Sequence, residues 1–176
     1  MRLLLVTGST RSASTNSAAL RTARELVDDG VEVVLYEDLA ELPHFNPDDD
    51  AEGAPPPPVA ALREQIADAD AVIFCTPEYA GTLPGSFKNL LDWTVGGGEM
   101  DGKPAAWINV AAPGRGGGAE ATLRTVLGYV NAAPLPSAGI RVQVPHGATG
   151  ADGMIADADA RDALAQALRT LIAELR

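Results

Sequence analysis

Residues 2–17, "RLLLVTGSTRSASTNS", join an apolar run to a polar segment rich in hydroxyl groups. The run over Arg2–Thr7 lacks polar alternation, which predicts a strand buried on both faces, as in a parallel sheet. An amphipathic helix is predicted over residues 14–29, so the polar segment connects a buried strand to a helix start. Strand, loop and helix in this order are the first part of a βαβ unit and indicate an α/β sheet.

The same alternation continues to the end of the sequence. Further strands are predicted at 31–36, 71–76, 104–112 and 138–144, and further helices at 59–68, from Pro84, at 118–131 and at 157–176. Five such units predict a five-stranded parallel sheet with helices on both faces, and residues 1–176 are predicted to form one domain. Between the second strand and the next helix, residues 43–58 are rich in Pro and Asp and predict an irregular connection. Ligands of such sheets bind beyond the carboxyl ends of the strands, which points to the loops after strands one, three and four.

Charge and composition exclude several classes of partner. The sequence has 24 acidic and 13 basic residues and a net charge of −11, which argues against binding nucleic acid or anionic membranes. No apolar run approaches a membrane span and no leader pattern precedes the first strand, so a cytoplasmic location is predicted. The single cysteine, Cys75, lies in the apolar run "AVIFCT" and is predicted to be an inert buried thiol. His44 and His146 are the two histidines, and no metal site is predicted.

The loop after the first strand has the chemistry of a phosphate site. Gly8 lets the backbone turn, several Ser and Thr hydroxyls follow, and the helix start supplies free backbone N–H groups and a positive dipole end. Arg11 adds a guanidinium suited to phosphate oxygens. The alternative is a capped helix start with Arg11 in solvent, and the loop by itself leaves both open.

Two other phosphate motifs fail in this sequence. The dinucleotide fingerprint G-x-G-x-x-G would need two more glycines after Gly8, where Ser12 and Ala13 stand nearby. Residues 97–103 fit G-x-x-x-x-G-K, but Pro104 replaces the Ser or Thr that binds magnesium, and a strand rather than a helix follows. The sequence therefore predicts neither a dinucleotide-binding loop nor a phosphate-binding loop of the G-x-x-x-x-G-K type.

Two further stretches stand after strands three and four. They are "PEYAGTLPGSFKNLLDW" at 77–93 and "PGRGGGAEATLRTVL" at 113–127. Together with "GSTRSASTN" at 8–16, they resemble the NAD(P)H-dependent FMN reductase family of flavodoxin-like proteins, whose patterns are GSxRxxSxN and PEYNxSxPxxLKNxxDW. The resemblance runs from about residue 2 to 145 and implies a doubly wound flavodoxin-like sheet of strand order 2-1-3-4-5.

The resemblance also implies which residues bind FMN. Around the phosphate it places Ser9, Arg11, Ser14, Thr15 and Asn16; along the isoalloxazine ring Pro77, Glu78, Tyr79, Ala80 and Gly81; and beside the ring or ribityl chain Pro113, Gly114 and Gly116. Ala80 departs from the usual Asn, which removes a side-chain contact. Glu78 has two alternative roles, capping a helix or pairing with Lys88, and Tyr79 has the alternative of ordinary loop packing.

The implied activity is hydride transfer from NADPH or NADH to FMN and then to a small-molecule acceptor such as a flavin, quinone or azo compound. The cofactor performs this chemistry, so no catalytic protein residue is predicted. Arg115 has two interpretations, a contact with the NADPH phosphate or an exposed loop position. Family resemblance implies a homodimer or homotetramer. The alternatives are a flavodoxin-like electron carrier without nicotinamide turnover and a flavin-free binding protein.

Overall fold

A parallel β-sheet organises the chain. The computed structural model describes residues 1–28, 30–50 and 55–176, and the statements below concern those residues. The strands are β1 (Arg2–Thr7), β2 (Glu32–Tyr36), β3 (Ala71–Cys75), β4 (Pro104–Asn109), β5 (Ala133–Pro134) and β6 (Ile140–Arg141). The helices are α1 (Thr15–Glu25), α2 (Pro57–Asp68), α3 (Gly85–Trp93), α4 (Gly117–Tyr129) and α5 (Ala158–Glu174), with short 3₁₀ helices at Leu39–Glu41 and Pro47–Asp50. Residue 29, the end of the first predicted helix, lies outside the described residues.

Strand β1 lies inside the sheet, between β2 and β3, and it is apolar on both faces. It pairs in parallel with β2, where Leu3 aligns with Val33, and with β3, where Leu3 aligns with Ala71. Its side chains alternate between two cores: Leu4 and Val6 face one, and Leu3 and Leu5 face the other. The strand order β2-β1-β3-β4-β5 confirms the predicted flavodoxin-like arrangement.

The helices divide between the two faces. Buried residues of α2, α3 and α4, such as Leu62, Phe87 and Leu123, pack with Leu4 and Val6. Buried residues of α1 and α5, such as Leu20 and Leu164, pack with Leu3 and Leu5. This confirms the doubly wound architecture, with one apolar core on each side of the sheet. None of the described helices combines the length and the apolar character needed to cross a bilayer.

The prediction of a single fifth strand over 138–144 was wrong. Two short strands share that position beside β4: Ala133 and Pro134 of β5 align with Pro104 and Ala105, while β6 aligns with Ile108 and Asn109. Pro134 and Pro136 have no N–H to donate to a ladder, and Gly139 adopts a left-handed conformation at φ +89°. The edge strand is therefore interrupted, although its place in the sheet is as predicted.

Strand β4 is also shorter than the predicted 104–112. It ends at Asn109, whose Oδ1 accepts a hydrogen bond from the backbone N–H of Ala111 at 3.0 Å. Such a bond two residues along the chain is an Asx turn, which takes the backbone out of the sheet. Residues 110–112 therefore belong to the loop at the carboxyl end of β4.

The described part of the Pro- and Asp-rich connection is anchored on α3. The Phe45 ring packs edge-on against Trp93 with ring centroids 5.0 Å apart. The Trp93 indole N–H donates to the Pro43 carbonyl at 2.9 Å, and the Phe45 N–H donates to Asn89 at 2.7 Å. Residues 51–54 of this connection lie outside the described residues.

Candidate functional site

A cavity of about 540 Å³ lies where the loops after β1, β3 and β4 converge, beyond the carboxyl ends of the strands. We call it the central cavity. It is lined by Arg11, Ala13, Thr15 and Asn16 after β1, by Thr76, Pro77 and Glu78 after β3, by residues 110–112, Arg115 and Gly116 after β4, and by residues 144–147 and Thr149 after β6. A larger cavity of about 730 Å³ lies between α3 and the segment around residues 39–45, and of the loop after β1 only Thr10 lines it.

Gly8 brings the loops after β1 and β3 into direct contact. Its backbone N–H donates to the Cys75 carbonyl at 2.8 Å. A Cβ at position 8 would lie 2.1 Å from Thr76 Oγ1 and 3.0 Å from Thr76 Cα. Any side chain there would push the two loops apart, so glycine is required for this side of the central cavity.

The loop after β1 holds itself in place through its own hydroxyls. Ser14 is the N-cap of α1 and accepts a hydrogen bond from the Ser17 N–H at 3.4 Å, and Ser9 Oγ accepts from the Arg11 N–H at 3.3 Å. Both Ser9 and Ser14 are buried and shape the loop beneath the cavity lining. A hydroxyl that accepts in this way keeps its own O–H for donation.

Arg11, Thr15 and Asn16 do line the central cavity. Thr15 and Asn16 belong to the first turn of α1, where backbone N–H groups have no intrahelical partner and the helix dipole is positive. A guanidinium beside a helix N-terminus is a donor set suited to a phosphate dianion.

Glu78 connects the loop after β3 to α4. One carboxylate oxygen accepts hydrogen bonds from the Gly118 N–H at 2.6 Å and from the Ala119 N–H at 3.1 Å. Of the two alternative roles for this residue, the structure therefore shows helix capping. Lys88 pairs instead with Asp92 at 2.5 Å.

Three of the predicted ring contacts occupy a tight turn beside Glu78. Tyr79 and Thr82 exchange backbone hydrogen bonds of 3.0 and 3.1 Å across Ala80 and Gly81, which have φ of +50° and +75°. The Tyr79 side chain is exposed, and the central cavity is lined by Pro77 and Glu78 rather than by this turn. A contact between the ring and Tyr79, Ala80 or Gly81 stays a prediction.

The loop after β4 contributes to two neighbouring cavities. Gly116 is buried and lines the central cavity. Pro113 and Gly114 line a second cavity, also of about 540 Å³, which shares Ala111 and Arg115 with the central one. The structure thus places these two predicted residues next to the central cavity rather than in its wall.

Sequence reasoning missed one whole side of the central cavity. Residues 144–147 and Thr149 line it, including His146, to which no role was assigned. The segment "VPHGATG" matches no binding motif, but it follows the edge strand of the sheet. The rule that ligands bind at the carboxyl ends of strands, applied to that strand too, would have included it.

Cys75 lies behind the site and is fully buried, as predicted. Its Sγ donates to Asn16 Oδ1 at 3.3 Å, which orients a residue of the cavity wall. Burial raises the pKa of the thiol, so the thiolate is disfavoured in the folded chain. Within the described ranges, no group of three or more His, Cys, Asp or Glu side chains is arranged to hold a metal ion.

The lining of the central cavity combines donors suited to an anion. Arg11 and Arg115 line it together, and one carboxylate oxygen of Glu78 accepts hydrogen bonds from two backbone N–H groups. In a chain of net charge −11, this local excess of donors is the arrangement a phosphate ester needs.

Known proteins share both the sequence and the fold. The sequence matches the family described as NADPH-dependent FMN reductase over residues 1–146. It is 39% identical over 175 residues to an NAD(P)H-dependent FMN reductase of Pseudomonas aeruginosa, covering 97% of this chain and 93% of that protein. It is 30% identical over 179 residues to an NADPH:quinone oxidoreductase of Arabidopsis thaliana, covering 97% and 90%. The structure superposes on the flavoenzyme NAD(P)H:(acceptor) oxidoreductase of Paracoccus denitrificans with a TM-score of 0.82 and 30% identity, covering 99% of this chain and 96% of that one.

Proposed function

The chain belongs to the NADPH-dependent FMN reductase family and is an FMN-dependent NAD(P)H oxidoreductase, and we propose that its central cavity holds the flavin. One observation carries the proposal: Arg11 and the start of α1 meet the loops after β3 and β4 around a single cavity. A phosphate-binding end and a main-chain-lined end in one cavity match the two halves of FMN.

In this proposal the loop after β1 binds the phosphate. Arg11 pairs with it, and Thr15 and Asn16 present the first turn of α1. Ser9 and Ser14 fix the loop and keep hydroxyl protons to donate. When bound there, FMN would supply the redox chemistry that takes hydride from NADPH or NADH and passes electrons to an acceptor.

The loops after β3 and β4 align the ring. Pro77 restricts the backbone next to Glu78, and Glu78 fixes that loop to the start of α4 through its two hydrogen bonds. Gly116 lines the cavity from the other side. No side chain is assigned a proton-transfer step, because positioning and electrostatics are what the protein supplies in this chemistry.

We propose a quinone as the acceptor. The Arabidopsis relative is an NADPH:quinone oxidoreductase and matches nearly the whole chain, which supports this class. Free flavin and azo compounds are the other predicted acceptors.

Two further properties belong to the proposal. A homodimer or homotetramer is supported by the apolar side chains left in solvent: Tyr129 is 89% exposed, Val95 63% and Tyr79 55%. Light scattering after size-exclusion chromatography measures the assembly. A cytoplasmic location is proposed because NAD(P)H is the co-substrate.

Titration and turnover of the purified protein test the function. Bound FMN should change the flavin spectrum, and the FMN-loaded protein should oxidise NADPH or NADH when a quinone is added. FMN binding without oxidation by any acceptor would identify an electron carrier. Failure to bind FMN would overturn the placement of the flavin in the central cavity.

A further inference from the structure

A second cavity adjoins the central one and contains two arginines. It has a volume of about 540 Å³ and its lining includes Arg115, Arg141 and Gln143. Ala111 and Arg115 line both cavities, so the two are contiguous. We call it the arginine cavity.

The Arg141 side chain is held in a fixed position. Its Nη2 lies 3.0 Å from Glu120 Oε2, and its Nη1 donates to the Arg115 carbonyl at 3.0 Å. Glu120 is in turn held by Asn109 Nδ2 at 3.3 Å. A guanidinium carries five N–H donors, so this anchored fork keeps further donors for a ligand. The side chain is 49% exposed and accessible from solution.

The charge around this cavity is positive, against the sign of the whole chain. Arg115 and Arg141 line the cavity, and Glu120, which is outside the lining, pairs with Arg141 at 3.0 Å. The lining thus includes two arginines and, among the described residues, no carboxylate, in a protein of net charge −11. The lining is therefore a local positive site within an acidic protein and is suited to an anion.

The co-substrate NAD(P)H carries phosphates, so its binding places negative charge next to the flavin. The nicotinamide of NAD(P)H must reach the ring in the central cavity, so the remainder of the dinucleotide, with its phosphates, must extend into adjoining space. The flavin phosphate is assigned to the other side of the central cavity, at Arg11. The arginine cavity is contiguous with the ring end and supplies bidentate donors for phosphate.

We propose that Arg115 and Arg141 form the phosphate subsite for the nicotinamide dinucleotide. The inference rests on the proposed function and adds the part of the site that recognises the co-substrate. The phosphate is either the pyrophosphate, common to both coenzymes, or the 2′-phosphate, present only in NADPH.

Steady-state kinetics of the FMN-loaded enzyme with a quinone test the subsite. At saturating FMN, Arg141→Gln and Arg115→Gln should each raise KM for NADPH about tenfold with kcat near that of the unmodified enzyme, because a charge-assisted contact to the co-substrate is lost. A rise for NADPH alone identifies the 2′-phosphate, and an equal rise for NADH identifies the pyrophosphate. Arg24→Gln is the matched control: it removes the same charge from an exposed position at the end of α1 and should leave both KM values unchanged.

A second variant separates phosphate binding from bracing of the loop. Glu120→Gln keeps an oxygen for Asn109 but removes the carboxylate that pairs with Arg141. Arg141 keeps its hydrogen bond to the Arg115 carbonyl and can still donate to the neutral Gln oxygen, so its position is kept while a competing negative charge is removed. If Arg141 binds phosphate, this variant should therefore leave KM for the dinucleotide unchanged or lower it. If Arg141 only braces the loop through Glu120, Glu120→Gln should raise KM as Arg141→Gln does, and that result would overturn the proposal.

Direct binding gives a readout that does not need turnover. Calorimetric titration with 2′,5′-ADP and with ADP-ribose should show about tenfold weaker binding of at least one probe to Arg141→Gln. Unchanged KM values and unchanged binding of both probes in Arg115→Gln and Arg141→Gln would also overturn the subsite. Absence of NADPH and NADH oxidation by the unmodified enzyme would instead contradict the proposed function.

Discussion

The carboxylate of Glu78 accepts a 2.6 Å hydrogen bond from the backbone N–H of Gly118, so the loop after β3 caps the helix that follows β4. The N-cap position of α4 is Gly116, which has no side chain to cap the helix itself. Glu78, which is distant in the sequence, supplies the capping acceptor that a Ser or Asp at the N-cap position supplies in other helices. One residue therefore stabilises α4 and fixes a wall of the central cavity.

Glu78→Ala should lower the free energy of unfolding by about 1–2 kcal/mol, since two helix N–H groups lose their acceptor and the helix dipole loses a charge. It should also weaken FMN binding, because the loop after β3 is released. Urea unfolding and FMN titration measure the two effects. Glu78→Gln keeps an oxygen that accepts these hydrogen bonds but loses the charge, so its stability and its FMN affinity should lie between those of the parent and those of Glu78→Ala. Glu64→Ala, at an exposed position of α2, is the control and should change neither; an equal loss in that variant would contradict the capping role.

Gly8→Ala should destabilise the protein by about 1–3 kcal/mol and weaken FMN binding, because the new methyl group overlaps Thr76. Thr76→Gly in the same chain removes the two nearest atoms and should restore part of the stability. Gly85→Ala is the control: it adds a methyl group where nothing lies within 4 Å. Thermal unfolding of the parent, of the two single glycine variants and of the double variant measures these stabilities. A Gly8→Ala protein as stable as the Gly85→Ala protein would show that the loops have room to separate.

The sequence predicted the central part of the fold because local pattern and tertiary position agree there. Strands β1 and β3 are continuous apolar runs, and continuous apolar runs are what burial on both faces requires. At the edge of the sheet this agreement fails. The run over 138–144 looks like the others, but Pro134, Pro136 and Gly139 break the ladder before and within it.

The residues of the candidate site also divide into those that a local motif predicts and those that it does not. Arg11 and Pro77 belong to contiguous motifs and were predicted as binding residues. His146 lies in no motif and reaches the central cavity through the path of the chain after β6. The link from Glu78 to Gly118 joins residues 40 positions apart, and no local spacing encodes it.

Ala80→Asn should stabilise the protein by about 1 kcal/mol. Ala80 has φ +50°, a left-handed conformation that costs an L-residue with a Cβ about 1–2 kcal/mol and that Asn tolerates better. Asn131 at φ +53° shows the preference within this chain. The comparison variant is Ala60→Asn, exposed in α2, where Asn should cost about 0.5 kcal/mol through helix propensity. Urea unfolding measures both, and an Ala80→Asn protein less stable than the parent would contradict the assignment of strain to this turn.

Arg11→Ala should weaken binding of FMN by about 1.5–3 kcal/mol and leave binding of riboflavin nearly unchanged, since only FMN carries the phosphate. Added salt should weaken FMN binding to the parent more than to the variant because the charge-assisted contact is screened. Flavin fluorescence titration measures all four affinities, with Arg24→Ala as the charge control. Equal weakening of both flavins would place Arg11 away from the phosphate.

Stability should fall above about pH 8.5 because of Cys75. Burial raises the pKa of this thiol, so the folded chain keeps it protonated where the unfolded chain ionises it. Unfolding then releases a proton, and the free energy of unfolding decreases as pH rises. Between about pH 7.5 and about pH 9.5 the decrease from this group should be about 1 kcal/mol, while the tyrosines of the unfolded chain, with a pKa of about 10, stay mostly protonated.

Cys75→Ala isolates the contribution of the thiol. The variant lacks the ionising group but keeps every other titrating side chain, so its urea midpoint should fall less over the same pH interval. Tyr36, whose pKa is raised by burial and by Asp38, contributes equally to both proteins. A thiol reagent should also fail to modify the native protein at about pH 8 and should modify one thiol after unfolding, because the thiolate is the reactive form. Identical pH dependence in the two proteins, or rapid modification of the native one, would mean that Cys75 ionises in the folded state and that its bond to Asn16 does not hold the proton.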